Sequence, residues 1–185
     1  MTPALRFAPE LLLLAQGVRC AIFDVDGVLT DGRLYIGEHG EVCKAFHTLD
    51  GHGLKLLAAG DIVPLVVSGR DSPALRRRLG DLGIEHAAFG AADKLLAAEP
   101  LLQRLRVAWS DVAVIGDDWP DLPLMGRARF ACAVPNAHAE VRAAAHHVTA
   151  APGGRGAARE FCDLLLCAAG RYAGLLDTQR GSLDR

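Results

Sequence analysis

AIFDVDGVLTDG, residues 21–32, is the stretch that decides the fold, because it places two aspartates directly after a short apolar run. Residues 18–23 have the composition of a buried strand, and Asp24 and Asp26 follow its end. Residues i and i+2 of an extended segment point the same way, so both carboxylates can face one ligand. Like charges held together cost stability unless a cation neutralises them, which indicates a metal site.

The composition is typical of one globular domain, since half of the 185 residues are apolar and the formal net charge is −2. No basic block is present to neutralise a run of phosphates, which argues against a nucleic-acid partner. The apolar run at 11–15 is too short to span a bilayer, so we expect no membrane partner. Five cysteines without a CxxC pair are typical of reduced thiols in the cytoplasm. We expect one domain over 1–170 and a tail over 171–185.

Apolar runs alternate with helical patterns along the chain, which predicts an α/β fold with a doubly wound parallel sheet. Further strands are predicted at residues 62–67, 85–89, 111–116 and 129–133. Helices are predicted from Pro9, over 51–59, from Pro73 with Ser72 as its cap, and over 93–105, 120–126 and 156–168. Residues 33–36 and 42–46 flank the turn GEHG and predict a β-hairpin.

In such a sheet, ligands bind at the carboxyl ends of the strands, so the residues that follow each apolar run are informative. Ser68, Gly69 and Arg70 follow the second run, the pair Asp117-Asp118 follows a later one, and Lys94 begins the helix between them. Carboxylate oxygens select a hard cation, and Mg²⁺ typically takes one or two carboxylates together with a substrate phosphate. The pattern therefore predicts Mg²⁺ and a phosphorylated ligand in one crevice.

Two carboxylates in this crevice can divide the proton-transfer and nucleophile roles of phosphate-ester hydrolysis. One can attack phosphorus as a covalent nucleophile, and the other can give a proton to the leaving oxygen and later take one from water. Because phosphate monoesters hydrolyse very slowly unaided, the negative charge must be strongly neutralised. Lys94, the Ser68 hydroxyl and backbone amides can bind the phosphoryl oxygens.

DVDGVLT, the strand end at Ser68, Lys94 and GDDWPD resemble, in order, the four motifs of the haloacid dehalogenase superfamily of phosphatases. The resemblance implies that Asp24 is the nucleophile and also a metal ligand. It implies that Asp26 is the acid–base residue and gives a backbone carbonyl to Mg²⁺. It also implies that Ser68 and Lys94 bind phosphate and that Asp117 binds Mg²⁺. Asp118 and Asp121 are implied as indirect support of the metal. The residues implied to bind substrate are Thr30, Gly69 and Arg70.

The chain resembles more narrowly the 3-deoxy-D-manno-octulosonate 8-phosphate (Kdo8P) phosphatases, from about Val18 onward. The segments LTDGRLYIG, FHTLDGHGLK, SGRDSPALRRRLGDLGI, GGRGAAREFCDLLL and LLDTQRGSL carry this resemblance. It implies a cytoplasmic homotetramer that releases Kdo for lipopolysaccharide. Leu49 departs from the family pattern, which usually has a basic residue before the aspartate of its F-x-x-R-D-G segment.

Spacing between the motifs excludes a cap domain. Asp26 to Ser68 leaves room for a hairpin and a helix, and Arg70 to Lys94 for one helix and a strand. An open site weakens electrostatic contacts, so either the substrate is large or a neighbouring subunit covers a small phosphorylated sugar acid. The apolar hairpin can pack on such a neighbour. Arg155, in GGRG, is a cation that can bind the substrate carboxylate in its own site or in a neighbour's.

Three other functions fit part of the pattern. A receiver domain of a response regulator has an adjacent acidic pair and a phosphorylated Asp on a later strand, and the spaced pair here disfavours it. A non-catalytic assembly domain is disfavoured because each expected catalytic position is filled. A phosphatase for a related nine-carbon keto-sugar acid phosphate remains open, because of Leu49.

Overall fold

A parallel six-stranded sheet forms the centre of the computed structural model, which describes residues 3–181. In chain order the strands are β1 (Cys20–Phe23), β2 (Tyr35–Gly37), β3 (Gly40–Cys43), β4 (Val63–Val67), β5 (His86–Ala88), β6 (Val112–Gly116), β7 (Phe130–Ala133) and β8 (His147–Val148). The sheet order is β5-β4-β1-β6-β7-β8, while β2 and β3 form a separate antiparallel hairpin. The strand order therefore reverses beside β1, which is where α/β sheets bind ligands.

The described residues also contain eight α-helices and two short 3₁₀ turns. The helices are α1 (Pro9–Ala15), α2 (Thr48–Ala59), α3 (Pro73–Leu82), α4 (Lys94–Leu105), α5 (Leu122–Arg127), α6 (Ala139–Ala144), α7 (Ala157–Ala168) and α8 (Tyr172–Gly181), and the 3₁₀ turns are Trp109–Asp111 and Trp119–Asp121. Helices α1 and α2 both pack on α7, and α4 and α6 both pack on α5. These two groups are the helical layers of a doubly wound sheet.

Capping side chains set the starts of α3 and α4. Ser72 Oγ accepts a hydrogen bond from the Leu75 amide, and Pro73 occupies the first position of α3, as predicted. Asp93 Oδ1 accepts from the Leu96 amide at 3.0 Å, so α4 begins at Lys94. This cap places Lys94 at the helix end that faces the site.

The core lies on both faces of the sheet, under α7 on one side and under α4, α5 and α6 on the other. All four residues of β1 are buried, as expected for a strand covered on both faces. The Phe161 ring, on α7, lies 5.5 Å from the Phe23 ring in an edge-to-face pair and 6.4 Å from the Phe130 ring. These aromatic contacts attach α7 directly behind the strands that end at the site.

The predicted α/β class, the hairpin and the lack of a cap domain are confirmed. Within residues 3–181, only β2, β3, α2 and β4 lie between Asp26 and Ser68, and only α3 and β5 between Arg70 and Lys94. The predicted strands and helices recur with boundaries shifted by a few residues. Short α6 and β8 are absent from the sequence prediction, because their segments are too short for a clear periodicity.

The predicted tail over 171–185 contains a helix, α8, as far as the described residues extend. Tyr172 and Leu175 of α8 are partly buried and pack against the core. The predicted boundary between the domain and the tail at residue 170 stays a prediction. Residues 182–185 lie outside the described part of the chain. None of the helices in residues 3–181 is long and apolar enough to cross a membrane.

Candidate active site

The register of the sheet brings three strand ends to one edge. Phe23 lies opposite Val66 of β4 and Ile115 of β6, so each of these strands ends within two residues of the level of Asp24. The Asp24 amide donates to the Ile115 carbonyl at 3.1 Å. Residues that follow β1, β4 and β6 therefore meet in one place although they are far apart in the sequence.

Three carboxylates and one ammonium group form the centre of the site. Asp24, Asp117 and Asp121 each offer an oxygen within 4.8 Å of the others, a spacing that suits one metal ion. Lys94 Nζ donates to Asp24 Oδ1 at 2.5 Å and to Asp121 Oδ1 at 2.7 Å. One ammonium among three carboxylates leaves negative charge that a hard divalent cation would neutralise, so the residues fit Mg²⁺.

The pKa values of the Asp24 and Asp117 carboxyl groups are raised, which agrees with a deficit of positive charge in the site. Burial, followed by the charge of Asp121, raises the pKa of Asp24 to about 6 despite the opposing effect of Lys94. Burial and the neighbouring Asp24 raise the pKa of Asp117 to about 8. Burial alone would lower the pKa of Lys94, but the two carboxylates it contacts raise it above the usual value. A bound cation would favour the ionised carboxylates.

Asp121 is in the centre of the site, whereas Asp118 lies at its edge. Asp121 is buried, and its Oδ2 accepts from the amides of Asp117 at 3.0 Å and Asp118 at 3.3 Å. Asp118 is exposed, and its Oδ1 accepts from the Trp119 amide at 2.8 Å. Both aspartates are expected from sequence to support the metal indirectly. The structure makes Asp121 a candidate ligand and gives Asp118 a capping contact.

The loop after β1 closes tightly around the cluster. Gly27 has φ +108°, and a Cβ there would overlap the Asp117 carboxylate, so only glycine fits. Thr30 Oγ1 accepts from the Gly27 amide at 3.4 Å and the Gly32 amide at 3.2 Å, and donates to the Val25 carbonyl at 3.3 Å. Thr30 thus stabilises its own loop, and its predicted contact with substrate stays a prediction.

The Asp26 carboxylate pairs with two cations beside the hairpin. It contacts the Lys44 ammonium closely, and Arg70 Nε lies 3.9 Å from its Oδ2. Coordination of Mg²⁺ by its backbone carbonyl stays a prediction. Sequence analysis misses Lys44 and Glu41. The only sequence signal is that Glu41 and Lys44 lie three residues apart in EVCK, and such a spacing of opposite charges is common on solvated surfaces.

Ser68 and Arg70 occupy the end of β4. Ser68 is buried, and its Oγ accepts from the Arg70 amide at 3.1 Å. The Arg70 side chain is 44% exposed and pairs with Glu41 Oε2 at 3.2 Å, while Gly69 is exposed. This arrangement leaves the Arg70 guanidinium at the mouth of the site.

The GGRG loop lies directly against the first motif. The Gly153 amide donates to Asn136 Oδ1 at 2.8 Å, and Asn136 Nδ2 donates to the Gly27 carbonyl at 3.2 Å. A Cβ at Gly153 would overlap the Gly27 carbonyl oxygen. The exposed Arg155 follows two residues later in the same loop, and its predicted contact with substrate stays a prediction. Asn136 is a positioning residue that sequence analysis misses.

Buried Asp50, on α2, binds the N-terminus of α7, where the GGRG loop ends. Its carboxylate accepts from the Gly156 amide at 3.2 Å and from the Arg159 amide at 2.8 Å, at the N-terminus of α7. Burial raises the pKa of Asp50 above its usual value in spite of these bonds. The aspartate after Leu49 therefore has a structural role in this chain.

Comparison with known proteins identifies the family. Residues 86–160 match the haloacid dehalogenase-like hydrolases. The 3-deoxy-D-manno-octulosonate 8-phosphate phosphatase of Escherichia coli (strain K12) is 41% identical over 172 residues, which are 93% of this chain and 89% of that protein. The chain belongs to the Kdo8P phosphatase family of haloacid dehalogenase-like hydrolases. As a member of this family it is a phosphatase.

Solved structures of Kdo8P phosphatases share the fold. The Moraxella catarrhalis enzyme, crystallised with a magnesium ion, a phosphate ion and Kdo, is 37% identical, with a TM-score of 0.87 over 91% of this chain and 97% of that one. A probable phosphatase from Pseudomonas syringae is 45% identical, with a TM-score of 0.89 over 93% of this chain and 98% of that one. Both matches cover more than nine-tenths of this chain.

Proposed function

We propose that this phosphatase uses Mg²⁺ to hydrolyse Kdo8P to Kdo and phosphate, through an aspartyl-phosphate intermediate, in lipopolysaccharide biosynthesis. The observation that carries the proposal is the buried Asp24, held by Lys94 at 2.5 Å beside two further carboxylates at the switch point of the sheet. The similarity to Kdo8P phosphatases over 93% of the chain supports the substrate. The composition of the chain supports a cytoplasmic enzyme.

The roles of the side chains follow from their positions. Asp24 attacks phosphorus, with Lys94 keeping its carboxylate in place and neutralising the phosphoryl oxygens. Asp26 transfers a proton to the leaving oxygen and later takes one from water. Ser68 and the backbone amides after β1 bind the remaining phosphoryl oxygens. Asp24 and Asp117, with Asp121 adjacent, would hold Mg²⁺, which would supply positive charge to the phosphoryl group.

A homotetramer in which a neighbouring subunit covers the site completes the proposal. The hairpin exposes apolar side chains that a single chain leaves in water: Leu34 at 44%, Tyr35 at 41%, Ile36 at 61% and Val42 at 68%. An exposed group of this size is typical of an interaction surface. Arg155 binds the carboxylate of the sugar acid in its own or a neighbouring site. An unchanged KM for Kdo8P in Arg155→Ala would contradict that role.

A comparison of substrates tests the function. We expect kcat/KM with Mg²⁺ to be highest for Kdo8P among phosphorylated sugars and keto-sugar acids, and EDTA to abolish turnover until Mg²⁺ is restored. Leu49 is half exposed at the start of α2, so a preference for a nine-carbon keto-sugar acid phosphate is the alternative. A protein that hydrolyses none of these esters would be the non-catalytic assembly domain.

A further inference from the structure

Lys44 is a lysine of the hairpin region that is almost sealed from water. It follows β3, and its side chain is 1% exposed. Its ammonium contacts the Asp26 carboxylate, 18 residues away in sequence, and lies 3.1 Å from Glu41 Oε2. A buried ammonium is costly unless it is paired, so these two contacts determine where Lys44 lies.

The Asp26 carboxylate depends on Lys44 for its orientation. Its other cationic neighbour is Arg70, whose Nε is 3.9 Å away and whose side chain is 44% exposed. An exposed ion pair at this distance contributes little. A close contact with a buried ammonium restricts the carboxylate to one arrangement, because charge-assisted hydrogen bonds are short and directional.

Glu41 fixes Lys44 from the opposite side. Its Oε2 accepts from Arg70 Nη2 at 3.2 Å and lies 3.1 Å from Lys44 Nζ, so one carboxylate joins both cations. Asp26, Glu41, Lys44 and Arg70 thus form a group with zero formal net charge. Hydrogen bonds inside this group connect the hairpin to the loop that follows β1.

We infer that Lys44 is a positioning residue for Asp26, the acid–base residue of the proposed function on which this inference rests. A general acid must lie within hydrogen-bond reach of the oxygen it protonates, and small displacements are costly. Lys44, held by Glu41, keeps the Asp26 carboxylate in the place from which it reaches the leaving oxygen. The hairpin therefore contributes to proton transfer as well as to packing.

Two phosphate esters with different leaving groups test the inference in Lys44→Met. A primary alkyl phosphate such as Kdo8P needs its leaving oxygen protonated, whereas p-nitrophenyl phosphate releases a stable phenolate. We expect the ratio of kcat/KM for the alkyl ester to kcat/KM for the aryl ester to fall about 10-fold or more in the variant, as part of the ~10²–10⁴-fold effect of general acids. This ratio does not depend on the folded fraction, so destabilisation of the hairpin alone leaves it unchanged.

Two further variants complete the test. Lys44→Arg retains the cation and should restore most of the ratio, and Glu38→Gln, at the exposed hairpin turn, should leave it at the wild-type value. If the wild type hydrolyses Kdo8P and the ratio is unchanged in Lys44→Met, the role of Lys44 is overturned and the proposed function is not. A wild type that hydrolyses neither ester would overturn the proposed function, and the inference with it.

Discussion

The strand-end cluster and the hairpin are constructed in opposite ways. Asp24, Asp117 and Lys94 come from distant segments, and the register of a buried parallel sheet brings them together. The two strands of the hairpin pair only with each other, and its contact with the site runs through Lys44 and Glu41. The reacting groups thus reside on the sheet, while the hairpin contacts one of them and exposes an apolar surface.

Removing the nucleophile from the strand-end cluster should have the largest effect on activity. Asp24→Asn should lower kcat for Kdo8P by roughly 10⁴-fold or more, because a carboxamide cannot form the acyl phosphate. The fold should persist, since the substitution removes one of three like charges. Steady-state kinetics and circular dichroism measure both. Asp81→Asn, an exposed acid on α3, is the control and should keep full activity.

Lys94→Met should affect activity and stability together. We expect kcat to fall by about 10²–10³-fold, the usual cost of one electrostatic contact to the transition state. The free energy of unfolding without Mg²⁺ should fall by roughly 3 kcal/mol, because Asp24 and Asp121 lose their buried partner. Urea denaturation measures this loss. Equal stability of the variant and the wild type would mean that the ion pairs are not formed in solution.

The raised carboxyl pKa values predict how stability depends on pH. Between the usual 3.8 and the folded values of about 6 for Asp24 and about 8 for Asp117, the folded protein binds more protons than the unfolded one. The free energy of unfolding without metal should therefore decrease as pH rises through this range. Mg²⁺ should increase Tm more at pH 8 than at pH 5.

Scanning calorimetry at both pH values, with and without Mg²⁺, checks this dependence. Asp117→Asn removes the group with the larger shift and should reduce the difference between the two Mg²⁺ effects. If Mg²⁺ increases Tm equally at both pH values, repulsion among the carboxylates of the acidic cluster does not destabilise the folded protein.

Changes on the hairpin surface should have the smallest effect on the single chain. Ile36→Ser combined with Val42→Ser should change the free energy of unfolding of a monomer by less than about 0.5 kcal/mol, because both side chains are exposed. The same substitutions should dissociate the proposed tetramer, since each buried aliphatic side chain contributes about 1.5–3 kcal/mol to an interface. Sedimentation velocity measures the assembly, and an intact tetramer would locate the interface elsewhere.

The sequence predicts the sheet and its strand-end residues because both have local signals. Apolar runs mark the strands, and the residues after them must meet once the strands are parallel, which explains why Asp24, Asp117 and Lys94 are found without coordinates. The pairing of Lys44 with Asp26 has no such signal, because the position of a hairpin relative to a sheet depends on tertiary contacts. Asn136 is likewise visible only in the structure, because its bond to the Gly27 carbonyl joins segments 109 residues apart.

Peptide mapping of the protein, acid-quenched during turnover of Kdo8P with Mg²⁺, tests the central claim most directly. We expect one phosphoryl group on the peptide that contains Asp24, and none when EDTA is present or when Asp24→Asn is used. A phosphoryl group on another residue, or full turnover by Asp24→Asn, would contradict the account.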